Sequence, residues 1–164
     1  MEIKKVNTTD QDFNKLVLIL DNTLPSFNGG IQSREKAEYH VFNSVSDLTD
    51  VFVAYNLGQP IGCVATKHYS QGILEMKRLF VDPMARCGGI ATKLINKLES
   101  QAYSNGYKKI VVETGKNNSG AIRLYTKMNY QLIDNYPPYN GLSNSVCMST
   151  VSYTHLRAHE TGAY

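Results

Sequence analysis

The chain has 164 residues, 42% hydrophobic and 19% charged, a balance expected of one soluble domain with a self-sufficient core. A net charge of +3 is too small to argue for nucleic acid, though it suits a small anionic ligand. The three cysteines, Cys63, Cys87 and Cys147, form no CxxC pair, so neither a metal site nor a disulfide framework is indicated and a reducing, cytoplasmic setting is expected.

MEIKKVNTTDQDF has no apolar core of signal-peptide length. No apolar run approaches the roughly 20 residues that span a bilayer, so no membrane partner is expected. Ile3 to Val6 reads as a short strand. Phe13, Leu16, Val17 and Leu20 then recur at helical spacing, with Thr8 or Thr9 as the cap and Pro25 and Asn28-Gly29-Gly30 as the break. A second helix is expected from Ser33 to Phe42. Val51 to Tyr55 and Ile61 to Thr66 read as a hairpin, turning at Asn56 to Pro60. A second turn, HYSQG, leads into ILEMKRLFV, which Asp82-Pro83 ends because proline cannot continue the ladder.

From Gly88 to Asn105 the apolar residues Ile90, Ala91, Leu94, Ile95, Leu98 and Ala102 form one stripe, and Gly106 closes the helix. KKIVVET reads as a buried strand. NNSGAIRLYTKMNY reads as a short helix capped by Asn118 or Ser119, and QLID and SVCMST as two last strands. A strand–helix–strand unit from Ile73 to Glu113 requires parallel pairing, whereas the hairpin is antiparallel. The expected fold is a single α/β domain over residues 1–150, with a mixed, largely antiparallel sheet flanked by helices.

Two adjacent glycines stand where a strand gives way to the long helix. They read either as a plain turn or as a loop that lets a phosphate reach the unpaired amides of a helix start. Neither a Walker loop nor a GxGxxG fingerprint is present. Arg86-x-x-Gly89-x-Ala91 resembles the Arg/Gln-x-x-Gly-x-Gly/Ala motif of the GNAT superfamily of acyl-coenzyme A-dependent N-acetyltransferases. Asn118-x-x-Ala121-x-x-Leu124-Tyr125, followed by Met128-Asn129-Tyr130, resembles that family's second cofactor element. The segments EMKRLFV, VVETG and SVCM are similar to a small bacterial-type subgroup.

The resemblance implies acetyl-coenzyme A as co-substrate, without a metal, and direct transfer to a primary amine in a ternary complex. It implies that the strand end Leu79, Phe80 and Val81 pairs with the pantetheine arm. Arg86, Cys87, Gly88, Gly89, Ile90 and Ala91 would hold the pyrophosphate, with Thr92 adding a hydroxyl. Asn118 either contacts the pantetheine or only caps its helix. Tyr125 either protonates the departing thiolate or packs in the core. Glu75 is the candidate general base, its pKa expected to rise on burial; alternatively it ion-pairs with Lys77 or Arg78, or binds a cationic substrate. The Leu79 amide would meet the oxyanion. A nucleophilic Cys87 is conceivable from its place at a helix start, but the family transfers directly.

For the acceptor, a small-molecule or peptide amine, the resemblance points to Pro25 to Tyr39 and to Asn135 to Asn144. Tyr136, Pro137, Pro138 and Tyr139 would wall the pocket, and Arg34 or Glu35 would orient charge. A homodimer is compatible with the resemblance. The rival reading is an inactive acyl-coenzyme A-binding sensor. His155-x-x-x-His159 lacks the glutamate of a zinc motif. Residues 151–164, VSYTHLRAHETGAY, continue no core pattern and are expected to be a non-native or disordered tail.

Overall fold

The computed structural model of the chain describes residues 1–27 and 47–150. The expected helix from Ser33 to Phe42, the pocket residues Arg34 and Glu35, the histidine pair and the 151–164 tail lie outside the described residues. The elements are β1 (Glu2–Val6), α1 (Gln11–Phe27), β2 (Val51–Asn56), β3 (Gln59–Ser70), β4 (Ile73–Val81), a 3₁₀ turn (Pro83–Ala85), α2 (Ile90–Ser104), β5 (Lys109–Gly115), α3 (Ser119–Lys127), β6 (Tyr130–Ile133) and β7 (Ser145–Thr150). They build one seven-stranded sheet of order β1-β2-β3-β4-β5-β7-β6. Among the described strands only β4 and β5 pair in parallel, because the α2 crossover returns the chain in the same direction. This is the mixed, largely antiparallel α/β fold expected.

Three local expectations are corrected. Asp10, not Thr8 or Thr9, caps α1: its Oδ2 accepts from the Phe13 amide at 2.9 Å, while Thr9 donates to Asn7 Oδ1. The helix starts at Gln11, which puts Asp10 in the position whose side chain reaches the third helical amide. At its other end α1 runs through Pro25 to Phe27, directly before Asn28-Gly29-Gly30, rather than breaking at the proline; Pro25 forfeits one bond to the turn before it, and the helix goes on for only two residues beyond. The β3–β4 connection is also shorter than HYSQG. His68, Tyr69 and Ser70 are strand, and only Gln71 and Gly72 turn the chain.

Alternation along the strands divides the core between the two faces. On one face Phe52, Ala54, Val64, Leu74, Met76 and Val81 meet Leu94, Ile95, Leu98 and Ala102 of α2 and Tyr125 of α3. On the other, Val51, Val53, Cys63, Ala65 and Phe80 meet Phe13, Leu16 and Val17 of α1. Leu94, Ile95 and Leu98 have no exposed surface, so each stabilises the layer by about 1.5–3 kcal/mol. Gly62 allows this closeness: a Cβ there would stand 2.9 Å from the Phe80 carbonyl and 3.2 Å from Leu94. Among the described residues, no helix is long and apolar enough to cross a membrane.

Two irregularities in β4 shape the site. Its pairing with β5 runs from Ile73↔Lys109 to Met76↔Val112 and stops, although β5 continues to Gly115 against β7. On the β3 side Cys63 pairs with Phe80, yet Ala65 pairs with Lys77. Arg78 and Leu79 thus oppose Val64 alone, which is a β-bulge, and Arg78 takes a left-handed φ of 58°.

Candidate active site

The sheet opens after Met76. From Lys77 to Val81 the β4 backbone has no strand partner on its β5 side. Unpaired strand amides and carbonyls are an edge to which an extended, amide-bearing chain can add. Leu79, Phe80 and Val81 occupy this edge. Leu79 packs into the α2-face core and Phe80 into the α1-face core, so their side chains anchor the edge while its backbone faces the wedge.

The wedge leads to the start of α2. Asp82 Oδ1 accepts from the Met84 amide at 2.9 Å and opens the 3₁₀ turn. Arg86 folds back so that its Nε donates to the Val81 carbonyl at 2.9 Å, and its guanidinium lies 5.9 Å from the Phe80 ring centre. Cys87 and Gly89 are left-handed, with φ of 67° and 75°, and left-handed residues in a turn help gather amides into an anion-binding concavity. Gly89 is the N-cap of α2, where no side chain accepts from the helix amides. Ile90, Ala91 and Thr92 therefore start the helix with N–H groups that have no partner within it, at the positive end of the helix dipole. A Cβ at Gly89 would meet nothing within 4 Å, so the demand for glycine is conformational and the space before the amides is open. Cys87 is exposed. This arrangement fits a pyrophosphate followed by an extended arm. Through Nε, Arg86 also locks the loop onto the end of β4.

On α3, Asn118 Oδ1 accepts from the Ala121 amide at 3.2 Å, so the capping role is present. Its side-chain NH2 group can still donate elsewhere. Tyr125 is 4% exposed and its ring lies 5.7 Å from that of Tyr130. Burial, with a smaller push from the Glu113 charge, raises its pKa well above the ordinary phenol range, so it remains a neutral O–H donor at any working pH.

The α1 face of the wedge is built differently, from buried polar side chains. Glu75 is 3% exposed and accepts from the Tyr136 hydroxyl at 2.7 Å. Lys77 is also buried, and its Nζ donates to the Tyr139 hydroxyl at 2.8 Å. Burial lowers the Lys77 pKa, while the charges of Glu75 and Glu113 act the other way. Glu113 stands one residue beyond the last β4–β5 pair and accepts from the Ser145 hydroxyl at 3.0 Å. Burial pushes its pKa up to about 7, against the Ser145 bond and the Lys77 charge. Tyr69 and Tyr139 meet the Tyr136 ring edge-on at 5.1 and 5.4 Å. The β6–β7 loop is held down by Asn135, whose Nδ2 donates to the carbonyls of Leu142 and Ser145 at 3.2 and 3.1 Å.

The structure therefore brings together Glu75, the Leu79–Val81 edge and the loop tyrosines, and puts the Arg86–Thr92 loop at the end of the same strand. Arg78 pairs not with Glu75 but with Asp21 of α1. Pro137 and Pro138 are exposed, whereas Tyr136 and Tyr139 are buried, with hydroxyls bonded to β4. Sequence reasoning missed Lys77 and Glu113 as site residues. Their only signal was charge set among apolar residues: Lys77 beside Glu75 and Arg78 in EMKRLFV, and Glu113 in VVETG.

Comparison with known proteins bears on this geometry. A profile described as the acetyltransferase (GNAT) family matches residues 18–130. An IAA acetyltransferase of Azospirillum brasilense is 34% identical over 88 residues, 53% of this chain and 58% of that protein. The chain spans about half the length of the curated relatives it matches. A crystal structure from Klebsiella pneumoniae, described as an acyl-CoA N-acyltransferase, superposes with a TM-score of 0.75 at 26% identity, covering 91% of this chain and 95% of that one. The PaiA N-acetyltransferase of Thermoplasma acidophilum, solved with coenzyme A, superposes with a TM-score of 0.68 at 17% identity, covering 92% and 99%, a likeness of fold.

Proposed function

This chain belongs to the GNAT acetyltransferase family, and from that premise we propose that it moves an acetyl group from acetyl-coenzyme A to a primary amine by direct attack in a ternary complex. The observation that carries the reading is the continuity of one strand. β4 loses its β5 partner after Met76, bulges at Arg78 and Leu79, and runs into a helix start whose amides no side chain caps.

Acetyl-coenzyme A supplies the activated acetyl group as a thioester. The amides of Cys87 to Ala91 and the Thr92 hydroxyl bind its pyrophosphate, an anion at a helix start gaining about 0.3–2 kcal/mol from the dipole and more from charged hydrogen bonds. The Leu79–Val81 backbone and Asn118 align its arm. The Leu79 amide, turned by the bulge, donates to the oxygen on which charge develops. Glu75 takes the proton that the attacking amine must lose, directly or through water. Tyr125, kept protonated by burial, gives a proton to the sulfur as the C–S bond breaks and the N–C bond forms. Glu75 and Tyr125 together favour transfer over mere sensing of the thioester. A panel of amines, assayed by free-thiol release and by mass for the acetyl gain, tests the reading. Bound coenzyme A with no acetylated product across the panel would favour the sensor.

A further inference from the structure

In a regular strand Lys77 and Arg78 would point to opposite faces. The bulge turns both to the α1 face: Lys77 reaches Tyr139 under the β6–β7 loop, and Arg78 Nη1 reaches Asp21 Oδ1 on α1. The Arg78 side chain is 6% exposed. Its Nε is buried and has no hydrogen-bond partner among the described residues. A buried charged donor left unmet is costly, more so than a neutral one. Asp21 meanwhile holds the guanidinium by Nη1 and fixes its orientation. The Nε edge remains, and Nε with its neighbouring Nη is the fork that takes a planar carboxylate with two parallel bonds.

Position adds to this. β4 leaves β5 at Met76, so Arg78 stands on the stretch that lines the wedge, three residues from Glu75 on the same face. A cation and a carboxylate so placed match an acceptor that carries both an amine and an acid. We propose that the Nε edge of Arg78 binds a carboxylate of the acceptor, so that the acceptor is an amino acid or another carboxylate-bearing amine. This rests on the acetyl-transfer reading and narrows its substrate.

Matched pairs test it: L-lysine with cadaverine, L-phenylalanine with phenethylamine, L-methionine with its decarboxylated amine. The readout is the ratio of kcat/KM within each pair, which a partly unfolded preparation does not change. The wild-type chain should favour a carboxylate-bearing member by about tenfold or more, the size of one hydrogen bond to a charged group. Arg78→Gln should bring that ratio toward one. Arg78→Lys, which keeps the charge and loses the fork, should fall between. Equal rates within every pair, no turnover of any carboxylate-bearing member, or a ratio that survives Arg78→Gln would overturn the inference. The first two outcomes leave acetyl transfer standing if the decarboxylated amines are still acetylated. A wild-type chain that fails to bind coenzyme A at all counts against the earlier reading instead.

Discussion

The two sides of the wedge are made of different material. The thioester side is main chain: an unpaired strand edge, two left-handed residues and an uncapped helix start. The acceptor side is side chain: Glu75, Lys77, Arg78, Glu113, Tyr136 and Tyr139, most of them buried and bonded to one another or to α1. Main-chain donors suit a ligand part that never varies, because they cannot be changed by substitution. Side chains suit the part that sets specificity. The comparison predicts that substitutions on the first side should act on binding of the thioester, and those on the second on rate, selectivity or stability.

The largest effect should come from Gly89→Glu. It places a side chain at φ 75°, at a cost of about 1–2 kcal/mol, and sets a negative charge before the amides. Calorimetry should show acetyl-coenzyme A binding lost while the fold persists. An unchanged dissociation constant would break the comparison at its first term. Next, Tyr125→Phe and Glu75→Gln should each lower kcat by about a hundredfold, the scale of one positioned acid or base, with the KM for acetyl-coenzyme A nearly constant. Steady-state kinetics with a good acceptor checks this; wild-type kcat in both variants would remove both roles.

The glycine loop and the helices around it were legible because their causes are local. Left-handed φ selects glycine at position 89, a stripe at 3.6-residue spacing marks α2, and Asn118 caps the turn that follows it. Asp10 was missed because three neighbouring residues of capping type compete there and only the register of the first turn decides. The acceptor side was poorly legible for another reason. Tyr136 meets Glu75 across 61 positions and Arg78 meets Asp21 across 57. Those contacts depend on sheet order and on a bulge that flips one residue, and neither leaves a trace in local pattern. Lys77 and Glu113 stood in view as charges among apolar strand residues, but only the fold shows that they share a face.

Smaller effects sharpen the second term. Tyr136→Phe takes one hydroxyl donor from the buried Glu75 carboxyl, and denaturant unfolding should show a loss of about 1–3 kcal/mol. A loss no larger than that of an exposed tyrosine would mean that the loop is not anchored through this bond. The smallest effect is a pH slope. Glu113 has its pKa raised to about 7 by burial, above the roughly 4.3 of an unfolded chain. The native state thus keeps a proton that the unfolded state has lost. The contribution is full below about pH 4, falls as pH rises, and is gone above about 7. Glu99, also raised to about 7 by burial, acts in the same sense from α2. Subtracting the pH–stability curve of Glu113→Gln from that of the wild-type chain should isolate a difference that declines across this window; a flat or rising difference would contradict the burial of that carboxyl.

The central claim is that main-chain donors at the end of β4 and the start of α2 hold the thioester. Amide NMR during titration with coenzyme A tests it most directly. The account predicts that the signals of residues 79–81 and 86–92 move together and saturate, while those of β1, at the far edge of the sheet, stay in place. Saturating coenzyme A that leaves residues 86–92 unmoved would contradict it.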